Sequence, residues 1–451
     1  MKVDLTGGTP GRGLSRRRFM TSAAGVGAVA FVPRHVLGGA AHVPPSEKLN
    51  IAGIGFGGRG YGDLRECESE NIVALCDVDW RLGGVHEAFK FWPSARRWKD
   101  YRKMLDEQKD IDAVVIATPD HTHACITMAA IRMGKHIYCE KPLTHTVYEA
   151  RQIAKAAREA GVATQLGNQG QADESSRVLC EMIRDRAIGD VREIHGWSNR
   201  YPRISPRGIA RPGDAPAVPD GLDWDLWLGP APQRPYHPAY HPFTWRGWWD
   251  FGTGVLGDIG CHNFSAIYKA LDLGAPISVE ASSTNFQCPP EIQNETAPLG
   301  SVVHFEFAAK GDRPAVSATW YDGGMMPIRP KELEDNRRMG GGDGMMYVGD
   351  KGTILGNRII PETKMKEYGA PPKVLPRSPG HHKEWIAACK GGKPAGANFD
   401  HAGPLTEMVL LGNIAIRTHK KLYWDAENFR ITNVPEANDL LHCEYRSGWT
   451  L

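Results

Sequence analysis

Three short stretches of this 451-residue sequence carry side chains able to do chemistry. The first is Asp258-Ile259-Gly260-Cys261-His262. Four residues apart, its carboxylate and imidazole share one face if the segment is helical. Histidine has the side-chain pKa nearest neutrality, so His262 suits a proton transfer. Gly252, Gly254, Gly257 and Gly260 let backbone come close to that face. The second is Glu140-Lys141-Pro142, where a lysine amine could hydrogen-bond a reacting oxygen and stabilise the charge that develops on it. The third is Thr118-Pro119-Asp120-His121-Thr122-His123, a polar turn dense in titratable groups. In isolation a D-x-x-x-H pair is more often a helix-surface ion pair than a site. The surrounding elements decide between the two.

Residues 49–54 read as a buried strand running into Gly55-Phe56-Gly57-Gly58-Arg59-Gly60, with a helix expected over 61–69. This is G-x-G-x-x-G at a strand end. Gly55 makes the tight turn, Gly57 admits a pyrophosphate, Gly60 allows close helix packing, and the phosphates meet the helix N-terminus. Gly53, Gly55 and Gly58 fit the same spacing. A second strand, 72–76, ends in Asp77, 22 residues beyond Gly55. A carboxylate there accepts hydrogen bonds from ribose hydroxyls and repels a 2′-phosphate, favouring NAD over NADP, although Arg81 nearby keeps NADP open. A plain strand-end cap is the alternative for Asp77. Strands at 112–117, 136–139 and 162–166 alternate with helices at 125–133 and 148–160, so a mostly parallel, doubly wound sheet is expected. Ligands gather at the carboxyl ends of such strands. That edge holds Thr118 to His123, Glu140-Lys141-Pro142 and Gly167-Asn168-Gln169.

Composition narrows the partners. Lys+Arg 54 against Asp+Glu 52 gives a formal charge of +2, which disfavours nucleic acid and suits an uncharged substrate. The nine cysteines contain no C-x-x-C pair, so buried thiols are expected rather than a zinc site or a disulfide scaffold, and no histidine spacing supports a metal. Ser15-Arg16-Arg17-Arg18-Phe19-Met20 precedes a modestly apolar stretch at 21–32, too short for a stable membrane span. It resembles a twin-arginine export signal, with cleavage expected after Ala40 or slightly later. The protein is therefore expected to fold in a reducing compartment, engage the twin-arginine machinery and reach the periplasm.

GFGGRG, the strand-end CDVD, ATPDHTH, CEKP and the later GVLGDIGCH together resemble the Gfo/Idh/MocA oxidoreductase family, over nearly the whole chain after the signal and including the closing YRSGWTL. The resemblance implies a Rossmann-type domain followed by an α+β domain with a large open, mainly antiparallel sheet, the usual site of homo-oligomerisation. It implies hydride transfer between a nicotinamide and a hydroxyl carbon of a sugar, inositol or related polyol. Glu140-Lys141-Pro142 matches the family's turn beside the nicotinamide, and Asp258 and His262 its substrate-site pair. Catalytic roles fall to Lys141, Asp258 and His262, with Asp258 orienting the imidazole or binding a second hydroxyl. The cofactor falls to Gly55, Gly57, Gly58, Gly60, Asp77, Arg81, Thr118, Pro119, His123, Glu140 and Lys141. The domains are expected at 44–170 and 171–451, behind a signal and linker at 1–43.

An insert at 200–250 gathers five of the 13 tryptophans (Trp224, Trp227, Trp245, Trp248, Trp249) with Tyr236, His237, Tyr240 and His241. Such rings either stack on sugar faces or pack as a satellite core. Helices are expected at 173–185, 381–389 and 405–418 and strands at 191–199, 302–307, 315–321 and 345–348. His381-His382 reads as a cleft pair or a helix cap. Outside the cytoplasm no evident NAD(H) pool exists, so NAD is expected to be loaded before export, to stay bound and to be regenerated in each cycle. Exchange between two sugars or keto compounds does this, as does glycoside cleavage by oxidation and elimination. A ligand-sensing regulator on the same fold is the non-enzymatic alternative, and an export signal disfavours it.

Overall fold

The computed structural model describes residues 47–200 and 208–451. The export-signal reading lies outside the described residues, as does the 201–207 stretch of the insert. Six short strands, β1 (Asn50–Ile54), β2 (Asn71–Cys76), β3 (Arg96–Trp98), β4 (Ala113–Ile116), β5 (His136–Glu140) and β6 (Thr164–Gly167), form one sheet in the order β3-β2-β1-β4-β5-β6. Every pair is parallel. The Ile-, Val- and Ala-rich runs of β1 and β4 are buried nearly throughout, as sheets covered by helices on both faces require. Chain direction across the sheet reverses between β1 and β4, and a crevice opens beyond their carboxyl ends.

Helices α1 (Arg59–Glu66), α2 (Asp120–Arg132) and α3 (Val147–Ala160) follow β1, β4 and β5. The polar run Asp120 to His123 is thus the first turn of α2 rather than a loop, behind an extended Pro119. A capping box starts α3: Thr146 Oγ1 accepts from the Glu149 N–H, and the Glu149 carboxylate accepts from the Thr146 N–H at 2.9 Å. Two helices and the edge strand β3, all between residues 83 and 107, were not anticipated from the sequence.

The second sheet has nine strands: β7 (Val191–Ser198), β8 (Ser278–Ser283), β9 (Ser301–Phe307), β10 (Val316–Asp322), β11 (Gly344–Gly349), β12 (Thr353–Leu355), β13 (Arg358–Ile360), β14 (Leu422–Asp425) and β15 (Arg430–Ile431). Their order is β13-β12-β11-β7-β10-β9-β8-β14-β15. The pairing is antiparallel except for β7 with β10, so the sheet is mixed. Helices α4 (Cys261–Ala270) and α6 (Phe399–Thr418) cover one face, burying Phe264, Phe305, Trp320, Met408 and Val409 in one core. On the other face Val302, His304 and Glu306 of β9 stay half-exposed, the alternation of a one-sided sheet. Helix α5 (His381–Cys389) lies between and returns to the parallel sheet, where Trp385 and Ile386 join Tyr138 in its core. All nine cysteines are free, six of them buried.

The chain enters α4 through a π-turn, Leu256–Gly260. The extra residue in that turn shifts the face on which Asp258 lies, a feature often found at functional sites. Thr146→Ala, which removes half the capping box, should lower stability by about 1 kcal/mol in equilibrium denaturation.

Candidate active site

A cavity of about 580 Å³ runs along the crevice from the glycine-rich turn to the π-turn. It falls in the range of small-molecule and cofactor sites. Its first half is built by backbone. Gly55 sits at φ 78°, and a Cβ there would lie 2.8 Å from the Thr118 amide nitrogen, so only glycine makes this turn. Gly60 packs the first turn of α1 so tightly that its Cβ would meet Gly55 O at 2.4 Å. Gly58 and Arg59 line the cavity where α1 begins, a helix N-terminus at which the Tyr61 N–H bonds the Gly58 carbonyl at 3.3 Å and the earlier N–H groups lack intrahelical acceptors. Asp77 stands at the end of β2, its Oδ2 accepting from the Phe56 and Gly57 N–H groups at 2.9 and 3.1 Å. Burial pushes its pKa up to about 6 against the pull of three backbone donors. Val78, Leu82, Tyr101 and Trp449 form an apolar slot beside it. A glycine cradle, a helix N-terminus, a ribose-height carboxylate and an apolar slot are what a dinucleotide requires, so these residues fit NAD.

The second half of the cavity holds the reactive groups. Lys141 Nζ, following β5, donates to Asp258 Oδ1 at 2.5 Å. Burial opposes charge on both. For Lys141, Asp258 and Glu140 outweigh burial and raise its pKa; for Asp258, Lys141 and Arg246 outweigh it and hold the carboxylate far below its usual range. The pair is therefore ionic. Asp258 does not hold the imidazole: Asn168 does, with its Oδ1 2.9 Å from His262 Nδ1. Asn168 Nδ2 donates to the Cys261 carbonyl at 2.8 Å, which fixes the amide orientation. Its oxygen can then only accept, so Nδ1 of His262 carries the proton and Nε2 keeps a free lone pair. Burial first, then Lys141, lower the His262 pKa to about 3, and the ring is neutral. Asp120 and Glu140 also line the floor, both pushed up to about 7 chiefly by burial.

Of the residues named from sequence, Gly55, Gly57, Gly58, Asp77, Thr118, Pro119, Glu140, Lys141, Asp258 and His262 line this one cavity. Gly60, Arg81 and His123 do not. Gly60 acts by packing. Arg81 is committed to Asp79 through two hydrogen bonds of 2.8 and 2.6 Å, which removes the cation that left NADP open. His123 lies between Thr118 O and Pro142 O, 2.8 Å from each. Burial lowers its pKa to about 4, and the neutral ring, with a single N–H, donates to only one of the two carbonyls at a time.

The insert mostly packs on itself. Trp224 stacks on Trp227 at 4.6 Å, and both join Tyr236, Tyr240, Trp245, Trp248 and Phe251 in a separate core. Trp227 and Trp245 also reach the cavity, together with His241 and Phe243. His381 and His382 are in neither the cleft nor a side-chain cap. His381 bonds Leu166 O at 2.8 Å and His382 stacks on Tyr138 at 4.7 Å, docking α5 on the parallel sheet. Asn168, Gln169, Arg246, Tyr101 and Trp449 are cavity or support residues without a role assigned from sequence. Asn168 and Gln169 did lie on the strand edge marked for chemistry, but nothing local said which polar side chain turns inward.

Residues 48–168 match the family model described as "Oxidoreductase family, NAD-binding Rossmann fold", and 211–292 its "C-terminal alpha/beta domain". Inositol 2-dehydrogenase of Salmonella typhimurium is 28% identical over 156 residues, covering 33% of this chain and 45% of the relative. A glycosyl hydrolase family 109 protein of Shewanella pealeana is 26% identical over 201 residues, 41% and 43% of the two chains. The chain thus spans under half the length of these curated relatives. The solved structure of an aldose-aldose oxidoreductase from Caulobacter crescentus, complexed with glycerol, shares the fold at 17% identity and TM-score 0.54, covering 84% of this chain and 100% of that one.

Asn168→Leu, which keeps the volume but cannot accept, should free the ring. Nitrogen NMR is expected to show a single Nδ1–H tautomer for His262 in the native protein and a mixture in the variant, with turnover lowered about 100-fold.

Proposed function

From a chain that belongs to the Gfo/Idh/MocA oxidoreductase family, we propose hydride transfer between a retained NAD and a hydroxyl-bearing carbon of a sugar or polyol. The observation that carries this reading is the convergence of a charged Lys141 and a neutral, Nδ1-protonated His262 on one cavity that also fits a dinucleotide. When bound, NAD supplies the hydride acceptor. His262 Nε2 takes the hydroxyl proton, its ring orientation set by Asn168. Lys141 donates to the same oxygen as charge grows on it. Asp258 keeps the lysine charged. Glu140, bonded by Gln169 Nε2 at 2.8 Å, sets the turn that presents Lys141.

The cofactor stays bound through the cycle, and two covers support this. The insert is laced to the parallel sheet by the Asp223 N–H on Val78 O at 2.9 Å, the Trp80 N–H on Gly221 O at 3.3 Å and His241 on Asp79 at 2.8 Å. The C-terminal tail returns through Arg446, whose N–H bonds Pro230 O, and seats Trp449 under the Arg102 guanidinium, 4.4 Å from its ring. Reduction of a second sugar or keto compound regenerates the cofactor. The name of the Caulobacter neighbour describes such an exchange between two aldoses. Redox-neutral glycoside cleavage is the second reading, favoured by the likeness to the family 109 protein. The chain is exported folded by the twin-arginine machinery to the periplasm, and it self-associates through the half-exposed face of the nine-stranded sheet.

Purified protein should release NAD on denaturation; protein that is cofactor-free and does not bind NAD overturns the reading. His262→Ala should abolish turnover with NAD still bound. Trp449→Ala should speed NAD release by about tenfold, as loss of an aromatic cover predicts. With a labelled glycoside, free aglycone formed without added oxidant marks cleavage, and a keto sugar alone marks dehydrogenation.

A further inference from the structure

Arg246 is a cation on the cavity that the proposed chemistry does not use. It sits in the turn Thr244–Gly247, with its guanidinium carbon 4.5 Å from the centre of the Phe243 ring and 4.2 Å from that of Trp245. Two aromatic neighbours hold the plane of the fork. Its Nε is 3.4 Å from Asp258 Oδ1 and its Nη1 donates to Phe243 O at 3.2 Å. Its Nη2 makes no hydrogen bond among the described residues, although the side chain lines the cavity and is only 20% exposed.

Asp258 faces two cations. Asp258 is already matched by Lys141 at 2.5 Å, so Arg246 adds a second cation to one carboxylate. Two other cations of the cavity are otherwise engaged: Arg200 with Asp343 at 2.7 Å, and Arg59, at the start of α1, with Asp63 at 2.8 Å. Asp120 and Glu140, the other carboxyls on the floor, both have pKa values raised to about 7 by burial, so neither is a full counter-charge, and Glu140 faces Lys141 and Arg59 rather than Arg246. A chain-wide charge of +2 favours a neutral substrate; the floor of the cavity points the other way.

We infer that the substrate carries a carboxylate and that Arg246 receives it, making the substrate a sugar acid such as a hexuronate. A planar fork with an open edge matches a planar carboxylate, and a bound monoanion would give Arg246 a counter-ion that it does not share with Lys141. A phosphate ester, close to a dianion, would leave charge uncompensated. The inference rests on this cavity being the carbohydrate site of the proposed reaction.

The test compares matched compounds on NAD-loaded protein: hexose, hexuronate and terminal hexose phosphate in the gluco, galacto and manno series. Calorimetry reads binding, and absorbance of the bound nicotinamide reads turnover. In at least one series the uronate should bind about 10- to 100-fold more tightly than its hexose, the scale of a charge-assisted contact. Arg246→Met should erase that ratio by raising KM rather than lowering kcat, and Arg246→Lys should restore part of it. Equal binding of hexose and uronate, tighter binding of the phosphate, no binding of any uronate, or a ratio that survives Arg246→Met each overturns the assignment. The ratio in the unaltered protein decides the matter even if a variant fails to fold. Uronate binding without any change in the nicotinamide counts against hydride transfer and leaves the Arg246 assignment standing. Hexose oxidation without preference for the uronate does the reverse.

Discussion

The ion pair between Lys141 and Asp258 joins the two halves of this molecule at the point where they must cooperate. One partner follows β5 of the parallel sheet, and the other lies in the π-turn that leads into α4 against the mixed sheet. Buried pairs of this kind add little net stability, because the desolvation of both ions offsets their attraction, yet removing one partner costs about 3–5 kcal/mol. Such a pair specifies an arrangement more than it strengthens it. Here it fixes how far the π-turn stands from the end of β5, and so how wide the cavity floor is. His123 is buried between the Thr118 and Pro142 carbonyls, where its ring fills the space between the turns after β4 and β5.

The aromatic insert has a second task that its composition hides. Most of its rings bury one another, as a segment without a sheet of its own must if it is to hold a shape. What the packed cluster then carries is positional. Asp79, wholly buried just beyond β2, takes Arg81 on one side and His241 of the insert on the other. That carboxylate is held well below its usual range by these partners despite its burial. The insert is thereby anchored at the ribose end of the cavity, while Trp245 and Phe243 clasp Arg246 at the other end. One folded segment thus lines both ends of the cavity.

Much of the fold was legible because its signals are local. The Ile-, Val- and Ala-rich runs, the glycines at 55 and 60 and Asp77 each specify their own neighbourhood, and the order β3-β2-β1-β4-β5-β6 follows from alternating strands and helices. The D-x-x-x-H spacing picked out two residues that line one cavity, but of the two roles it offered Asp258, orienting the imidazole is not what the contacts show. It assumes an α-helix, and the π-turn sends Asp258 to a lysine 117 positions away while Asn168 takes the imidazole. Arg81 was misread for a related reason: proximity in sequence to Asp77 said nothing of Asp79, which holds it. Trp449 and Arg246 reach the cavity from the C-terminal tail and the insert, segments without periodicity, and only tertiary structure brings them there.

The charges at the floor explain why both sheets are needed. In the proposed reaction the hydroxyl loses its proton while its carbon loses hydride, which needs a base and a hydrogen-bond donor on the same oxygen. The base works only when unprotonated and the donor serves best when charged, so the two oppose each other through space. Lys141 does depress His262, and Asp258 partly cancels that effect by raising it. Without Asp258, burial would either strip the proton from the lysine or leave its charge bearing fully on the imidazole. Paired, the lysine keeps its charge and acts on its surroundings as a dipole, whose field falls off faster than that of a lone cation. An acid-like donor and a neutral base can then share one buried floor. Since Lys141 comes from the nucleotide fold and Asp258 and His262 from the second domain, neither sheet alone could set that balance.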